Sequence, residues 1–251
     1  MSWVAIVPVK GNPGAKSRLG ERTDRAELAD AFALDTVAAL LSARGVDRVL
    51  VVTGDGELGG RLAGLGAVIV REAPWRETRR RASTAGSTAV STDPPTDPLT
   101  DPPTDPPTDP LTDPLTDPLN AAIRQGLTVA RAAFSQANLA VLTGDLPALT
   151  AADVERTLRL AAAHDRSLVP DAAGTGTTTL LALAGILIEP RFGVGSRAAH
   201  EAGGCVVLEL AASVSIRHDV DTAADLAVAQ RLGLGPHTRL LVDAPGVVAE
   251  H

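Results

Sequence analysis

The chain has two lysines against twenty-one arginines, and both lysines fall in one short loop. It reads Val9-Lys10-Gly11-Asn12-Pro13-Gly14-Ala15-Lys16-Ser17-Arg18 and follows directly on an apolar run. Lys is a compact point charge on a flexible stem, suited to phosphate oxygens at close quarters. Together with Arg18, such a Gly/Pro loop could neutralise a triphosphate. It is not a Walker A loop, because Ala15 stands where that motif needs Gly.

Acids that could complement these cations lie far downstream. Asp145 sits in Thr143-Gly144-Asp145-Leu146-Pro147, at the end of an apolar run. That position suits a Mg²⁺ ligand. Asp219 and Asp221 flank Val220 ahead of Thr222, and read as strand alternation they point to one side. Thr222 and Asp225 have the spacing of a capping box. One of the two acids can then be structural and the other a ligand. Asp145 plus Asp219 would supply two carboxylates from separate strand ends, an arrangement that holds Mg²⁺ on a nucleotide phosphate.

Three small-residue runs remain. Gly174-Thr175-Gly176-Thr177-Thr178 could form an anion nest, and Phe192-Gly193-Val194-Gly195-Ser196 precedes a short helical pattern. Either alone is equally well ordinary turn chemistry. Gly54-Asp55-Gly56-Glu57-Leu58-Gly59 matches a dinucleotide fingerprint, with Glu72 downstream. Four glycines in residues 59–66 argue against the helix that this fingerprint requires.

The elements that must position these residues alternate. Apolar runs at 3–9, 48–53, 67–71, 138–143, 167–170, 178–183, 206–208 and 215–218 read as strands. Helical patterns fall at 24–43, 120–133, 151–164, 197–202 and 222–232. This predicts an α/β domain with a mostly parallel, doubly wound sheet and helices on both faces. Ligands in such sheets bind at the carboxyl ends of strands. One domain over 1–251 is expected, interrupted at 92–119 by seven Thr-Asp-Pro-(Pro/Leu) tetrads. Proline fixes φ and removes a donor, so the repeat is expected to be extended or disordered rather than helical.

Composition excludes several classes. Seven of the thirty acids lie in the repeat; the other 23 balance the 23 Lys and Arg, which leaves no nucleic-acid surface and no polybasic membrane patch. The longest apolar run, 180–188, is too short to span a bilayer. A single cysteine, Cys205, and the lack of a signal-peptide pattern suit a reducing cytoplasm.

The ordered set Pro8-Val9-Lys10, Ala15-Lys16-Ser17-Arg18-Leu19, Leu119-Asn120-Ala121-Ala122-Ile123, Gly144-Asp145-Leu146-Pro147, Gly174-Thr175-Gly176-Thr177, Pro190-Arg191-Phe192-Gly193 with Ser196, and Asp219-Val220-Asp221-Thr222 resembles the guanylyltransferases of coenzyme F420 biosynthesis. These join GMP from GTP to 2-phospho-L-lactate or, in the actinobacterial branch, to phosphoenolpyruvate. The resemblance implies a nucleotidyltransferase-like fold, with Lys10 and Lys16 on phosphates and Asn120 in the guanine nucleotide site. It also implies Mg²⁺ on Asp145 and Asp219 with Asp221 nearby, and the small acid on Thr177, Gly193 and Ser196. The next transferase of the pathway is an implied partner. The rival readings are a nucleotidyltransferase for molybdopterin or a sugar phosphate, an NAD-binding oxidoreductase, and an adaptor presenting the repeat.

Overall fold

In a computed structural model, residues 1–9, 24–73 and 117–243 are described; Lys10, Lys16, Arg18 and the repeat as far as residue 116 lie outside them. The described residues form one seven-stranded sheet in the order β3-β2-β1-β4-β6-β5-β7. Its strands are β1 (Trp3–Pro8), β2 (Val46–Thr53), β3 (Val68–Arg71), β4 (Asn138–Leu142), β5 (Arg166–Pro170), β6 (Thr177–Ala182) and β7 (Val206–Val207). Every pairing is parallel except those of β6, which runs antiparallel to both β4 and β5. The carboxyl ends of β1 to β5 and the amino end of β6 therefore share one rim.

Helices cover both faces. Along β1, Trp3, Ala5 and Val7 join one apolar cluster with α1 (Arg25–Ser42), α2 (Gly56–Leu65) and α4 (Ala151–Ala161). Val4 and Ile6 join the opposite cluster with α3 (Pro118–Ala133). Side chains alternate across a strand, so a strand buried on both faces must be apolar throughout; all six residues of β1 are buried. α3 lies very close to the sheet at Gly126, where an added Cβ would stand 2.6 Å from Ile6 and 2.8 Å from Val52.

A third cluster packs α6 (Ala223–Leu232) and α7 (Pro236–Val242) on α1 through Leu28, Phe32, Leu226, Ala229 and Leu234. Asp35 of α1 is buried and accepts hydrogen bonds from the backbone N–H groups of His237 and Thr238, at 3.0 and 2.8 Å. It thereby caps a helix some two hundred residues away in sequence. Asp35→Ala leaves both donors without their acceptor, that of Thr238 buried, and is expected to lower unfolding free energy by about 1–3 kcal/mol in urea titrations.

Four sequence expectations change. Residues 215–218 are not a strand: Ser215–Arg217 form a 3-10 turn. The reason is where the polar groups go. The Ile216 carbonyl accepts from the Thr178 hydroxyl at 2.6 Å, and the Ser215 N–H donates to Asp153, so these two groups are not available to a neighbouring strand. The glycine-rich run 56–65 is a helix after all, because Leu58 and Leu62 are buried one turn apart and Asp55 caps it. Helix α3 begins inside the last tetrad, with Asp117 as its cap and Pro118 in the first turn, where a missing N–H costs nothing. α7 is an element that the sequence pattern did not indicate.

Candidate active site

The site is assembled on the rim where β1, β4 and β5 end and β6 begins. β4 delivers Asp145 through the turn at Gly144, which lies against the exit of β1. An added Cβ there would stand 3.2 Å from both the Pro8 carbonyl oxygen and Val9 Cγ2. The chain thus leaves β1 beside Asp145, and Lys10 is the next residue after Val9. The loop carrying Asp145 is held at three points. The Leu146 N–H donates to the Thr36 hydroxyl at 3.0 Å, the Gly235 N–H donates to the Pro147 carbonyl at 2.8 Å, and the Val220 N–H donates to the Asp145 carbonyl at 3.0 Å.

That last bond brings Asp219 and Asp145 together. Val220 is fully buried in the third cluster, so the flanking acids are displayed on either side of an anchored residue. Burial, followed by the negative charges of Asp145 and Asp221, pushes the Asp219 carboxyl from an ordinary 3.8 up to about 7. A further carboxylate, Asp171 at the end of β5, adds to the same effect. Asp171 was not singled out from sequence, although the strand-end rule points to it. Asp221 is the exposed member, and the Thr222–Asp225 capping box behind it is formed as the spacing predicted. Among the described residues no three His, Cys, Asp or Glu side chains make a metal cage by themselves. A paired carboxylate with hard oxygen donors fits Mg²⁺, which keeps waters and takes substrate phosphate oxygens as its remaining ligands.

The second half of the rim carries Thr177, Gly193 and Ser196. Helix α5 (Ser196–Ala202) is tied to the β5–β6 turn by the Arg197 N–H, which donates to the Thr175 carbonyl at 3.2 Å, and by the Arg197 guanidinium, which donates to Gly174 at 3.1 Å. Gly193 has φ +127°, a conformation open to glycine and strained for other residues. The proposed anion nest at 174–178 is partly filled from within, since the Thr175 N–H donates to the Asp171 carboxylate at 2.9 Å. In the same way Asp55 accepts from Glu57 and Leu58 at the start of α2, so the helix end of the dinucleotide fingerprint already holds a carboxylate.

Asn120, expected in the nucleotide site, is fully buried. Its carboxamide accepts from the Phe192 N–H at 2.8 Å and donates to the Phe192 carbonyl at 3.0 Å. It joins α3 to the turn that presents Gly193 and Ser196. His200, which the sequence left without a role, touches Thr177 and stands one turn after Ser196 on the same face of α5.

This arrangement has the fold of the nucleotidyltransferases. A protein from Desulfovibrio desulfuricans G20, provisionally described as a nucleotide-diphospho-sugar transferase, superposes with a TM-score of 0.57 at 15% identity over 95% of this chain and 91% of that one. A 4-diphosphocytidyl-2C-methyl-D-erythritol synthase gives 0.53 at 11% identity over 92% and 97%. No family model matches the sequence. It is 40% identical over 241 residues to the phosphoenolpyruvate guanylyltransferase of Streptomyces coelicolor, covering 95% of this chain and 94% of that one. It is 42% identical over 250 residues to that of Sanguibacter keddieii, covering 96% and 84%. The chain belongs to the phosphoenolpyruvate guanylyltransferase family and is a nucleotidyltransferase enzyme. Among the described residues no helix is long and apolar enough to cross a membrane.

Proposed function

We propose that this protein joins GMP from GTP to phosphoenolpyruvate, or to 2-phospho-L-lactate, as a cytoplasmic step of coenzyme F420 biosynthesis, and hands the product to the next transferase. The observation that carries this reading is the meeting of Asp145 and Asp219 beside the exit of β1 into the two-lysine loop. A phosphate oxygen of the acid attacks the α-phosphorus of GTP; the new P–O bond forms as the bond to the β-phosphate oxygen breaks, and pyrophosphate leaves. The nucleophile is already an anion, so no strong base is needed. Lys10, Lys16 and Arg18 neutralise the polyphosphate, and Thr177, Gly193 and Ser196 hold the acid. Asp145 and Asp219, with Asp221 close by, would hold Mg²⁺, which supplies charge neutralisation at the phosphates. Asn120 holds the Phe192 turn that presents Gly193 and Ser196.

Pyrophosphate release tests the reading. GTP with phosphoenolpyruvate or phospholactate should turn over, and CTP and UTP should not. Preference for CTP or a sugar phosphate would move the protein to a neighbouring nucleotidyltransferase class.

A pH prediction follows from Asp219. Its carboxyl is raised in the fold, so the unfolded chain releases this proton at lower pH than the folded one does. The metal-free protein therefore loses stability as pH rises from about 4 to about 7, and the deficit persists above 7. Asp219→Asn should stabilise the metal-free protein at pH 8 by on the order of 2 kcal/mol, and by clearly less at pH 5, while impairing turnover. Thermal unfolding in a chelator reads this directly; equal midpoints at both pH values would contradict it.

A further inference from the structure

His200 is buried between β6, the Phe192 turn and its own helix, and both ring nitrogens are engaged. Nε2 lies 2.9 Å from the backbone nitrogen of Arg191. A backbone N–H can only donate, so Nε2 must be the acceptor and carry no proton. Burial, with the Arg191 charge assisting, depresses the imidazole to about 4, so the ring is neutral at physiological pH. A neutral imidazole without a proton on Nε2 carries it on Nδ1. Nδ1 lies 3.1 Å from Thr177 Oγ1, so the ring donates and the hydroxyl oxygen accepts.

One consequence concerns the other end of that hydroxyl. His200 is the only hydrogen-bond partner of Thr177 Oγ1 among the described residues. The hydroxyl hydrogen is therefore unspent, and it cannot point back at the ring. The ring itself is held edge-on by Phe192, with 5.2 Å between centroids and 71° between planes, and Phe192 is fixed by Asn120. A rigid chain thus runs from α3 through Phe192 and His200 to Thr177.

We propose that His200 is a positioning residue for the small phosphorylated acid: it fixes the Thr177 oxygen as an acceptor and so turns the Thr177 O–H outward as a donor to an anionic oxygen of that substrate. The inference rests on the reading above that Thr177 contacts the acid. It adds a residue that does not touch substrate and acts only through Thr177.

Two substitutions at one position separate this from a merely structural role. His200→Gln brings a carbonyl oxygen to where Nε2 accepts, and offers no donor where Nδ1 stood. His200→Asn brings an amide N–H to the Nδ1 position. In steady-state assays H200Q should raise KM for the phosphorylated acid about tenfold, with kcat and KM for GTP within about twofold, and H200N should recover most of the loss. Adding H200Q to Thr177→Val should cost nothing beyond T177V alone. Equal defects in H200Q and H200N, a parallel rise in KM for GTP, or a further loss on the T177V background would overturn the proposal. T177V with an unchanged KM for the acid would instead remove the contact reading, and this inference with it. A defective T177V beside a silent H200Q removes the inference alone.

Discussion

Asp145→Asn is expected to lower the rate of pyrophosphate release about 10²–10³-fold at saturating GTP and acid, with the fold intact. The change is isosteric and removes only charge. The Asp145 carbonyl still accepts from the Val220 N–H, and the Leu146 and Pro147 contacts of the loop are backbone groups that the substitution does not touch. What disappears is one of two carboxylates that face each other on the rim. Losing the Asp145 charge also removes the largest electrostatic cause of the raised Asp219 carboxyl. The variant should therefore be no less stable than the parent at pH 8, and its residual activity should extend to lower pH. Turnover within about threefold of the parent, at ordinary Mg²⁺ concentrations, would show that the acid pair is not where phosphate charge is neutralised.

Gly126→Val should destabilise the protein by about 3 kcal/mol through packing, with no charged group altered. Two effects of opposite sign compete. Replacing glycine within a helix recovers a few tenths of a kcal/mol of backbone propensity for valine. Against this, the first added carbon already falls 2.6 Å from Ile6 and 2.8 Å from Val52. Both neighbours are β-branched, fully packed and stiff about χ1, so neither can swing aside. Relief requires α3 to lift from β1 and β2, which opens voids along the rest of that interface. Urea denaturation should give a lower midpoint with an unchanged slope. An unaltered midpoint would mean that α3 is not seated as closely as described.

The sheet was legible in the sequence because its central strands are buried on both faces. Runs such as 3–9 and 138–143 have no alternation to obscure them, and the strand-end rule then led to Asp145. What was misread has one physical character: the deciding partner is remote. The run 56–65 looks too glycine-rich for a helix until Asp55 is seen capping it and Leu58 and Leu62 are seen buried. Residues 215–217 look extended until Thr178 takes the Ile216 carbonyl. α7 is short and has only Pro236 as a local signal, and its cap is supplied by Asp35. Asp219 was picked out for an alternation that does not exist, yet the structure sets it beside Asp145 because Val220 is buried and bonded to that residue. His200 has a single signal in the sequence, the four-residue offset from Ser196. β6 runs against its neighbours, so Thr177 lies at the start of a strand; the sequence reaches it through the small-residue run 174–178 and not as a residue that follows its own strand.

At Gly144 an added Cβ would stand 3.2 Å from the Pro8 carbonyl oxygen and from Val9, closer than ordinary contact between the exit of β1 and the turn that carries Asp145. The clearance between the end of β1 and the Asp145 turn is therefore set where the Gly144 backbone meets the Pro8 carbonyl and the Val9 side chain, as a machinist sets a gap. A methyl group here would be a shim. It would wedge the Asp145 turn away from the end of β1 by a few tenths of an ångström, so that the position of that carboxylate could be retuned without altering a single ionisable group.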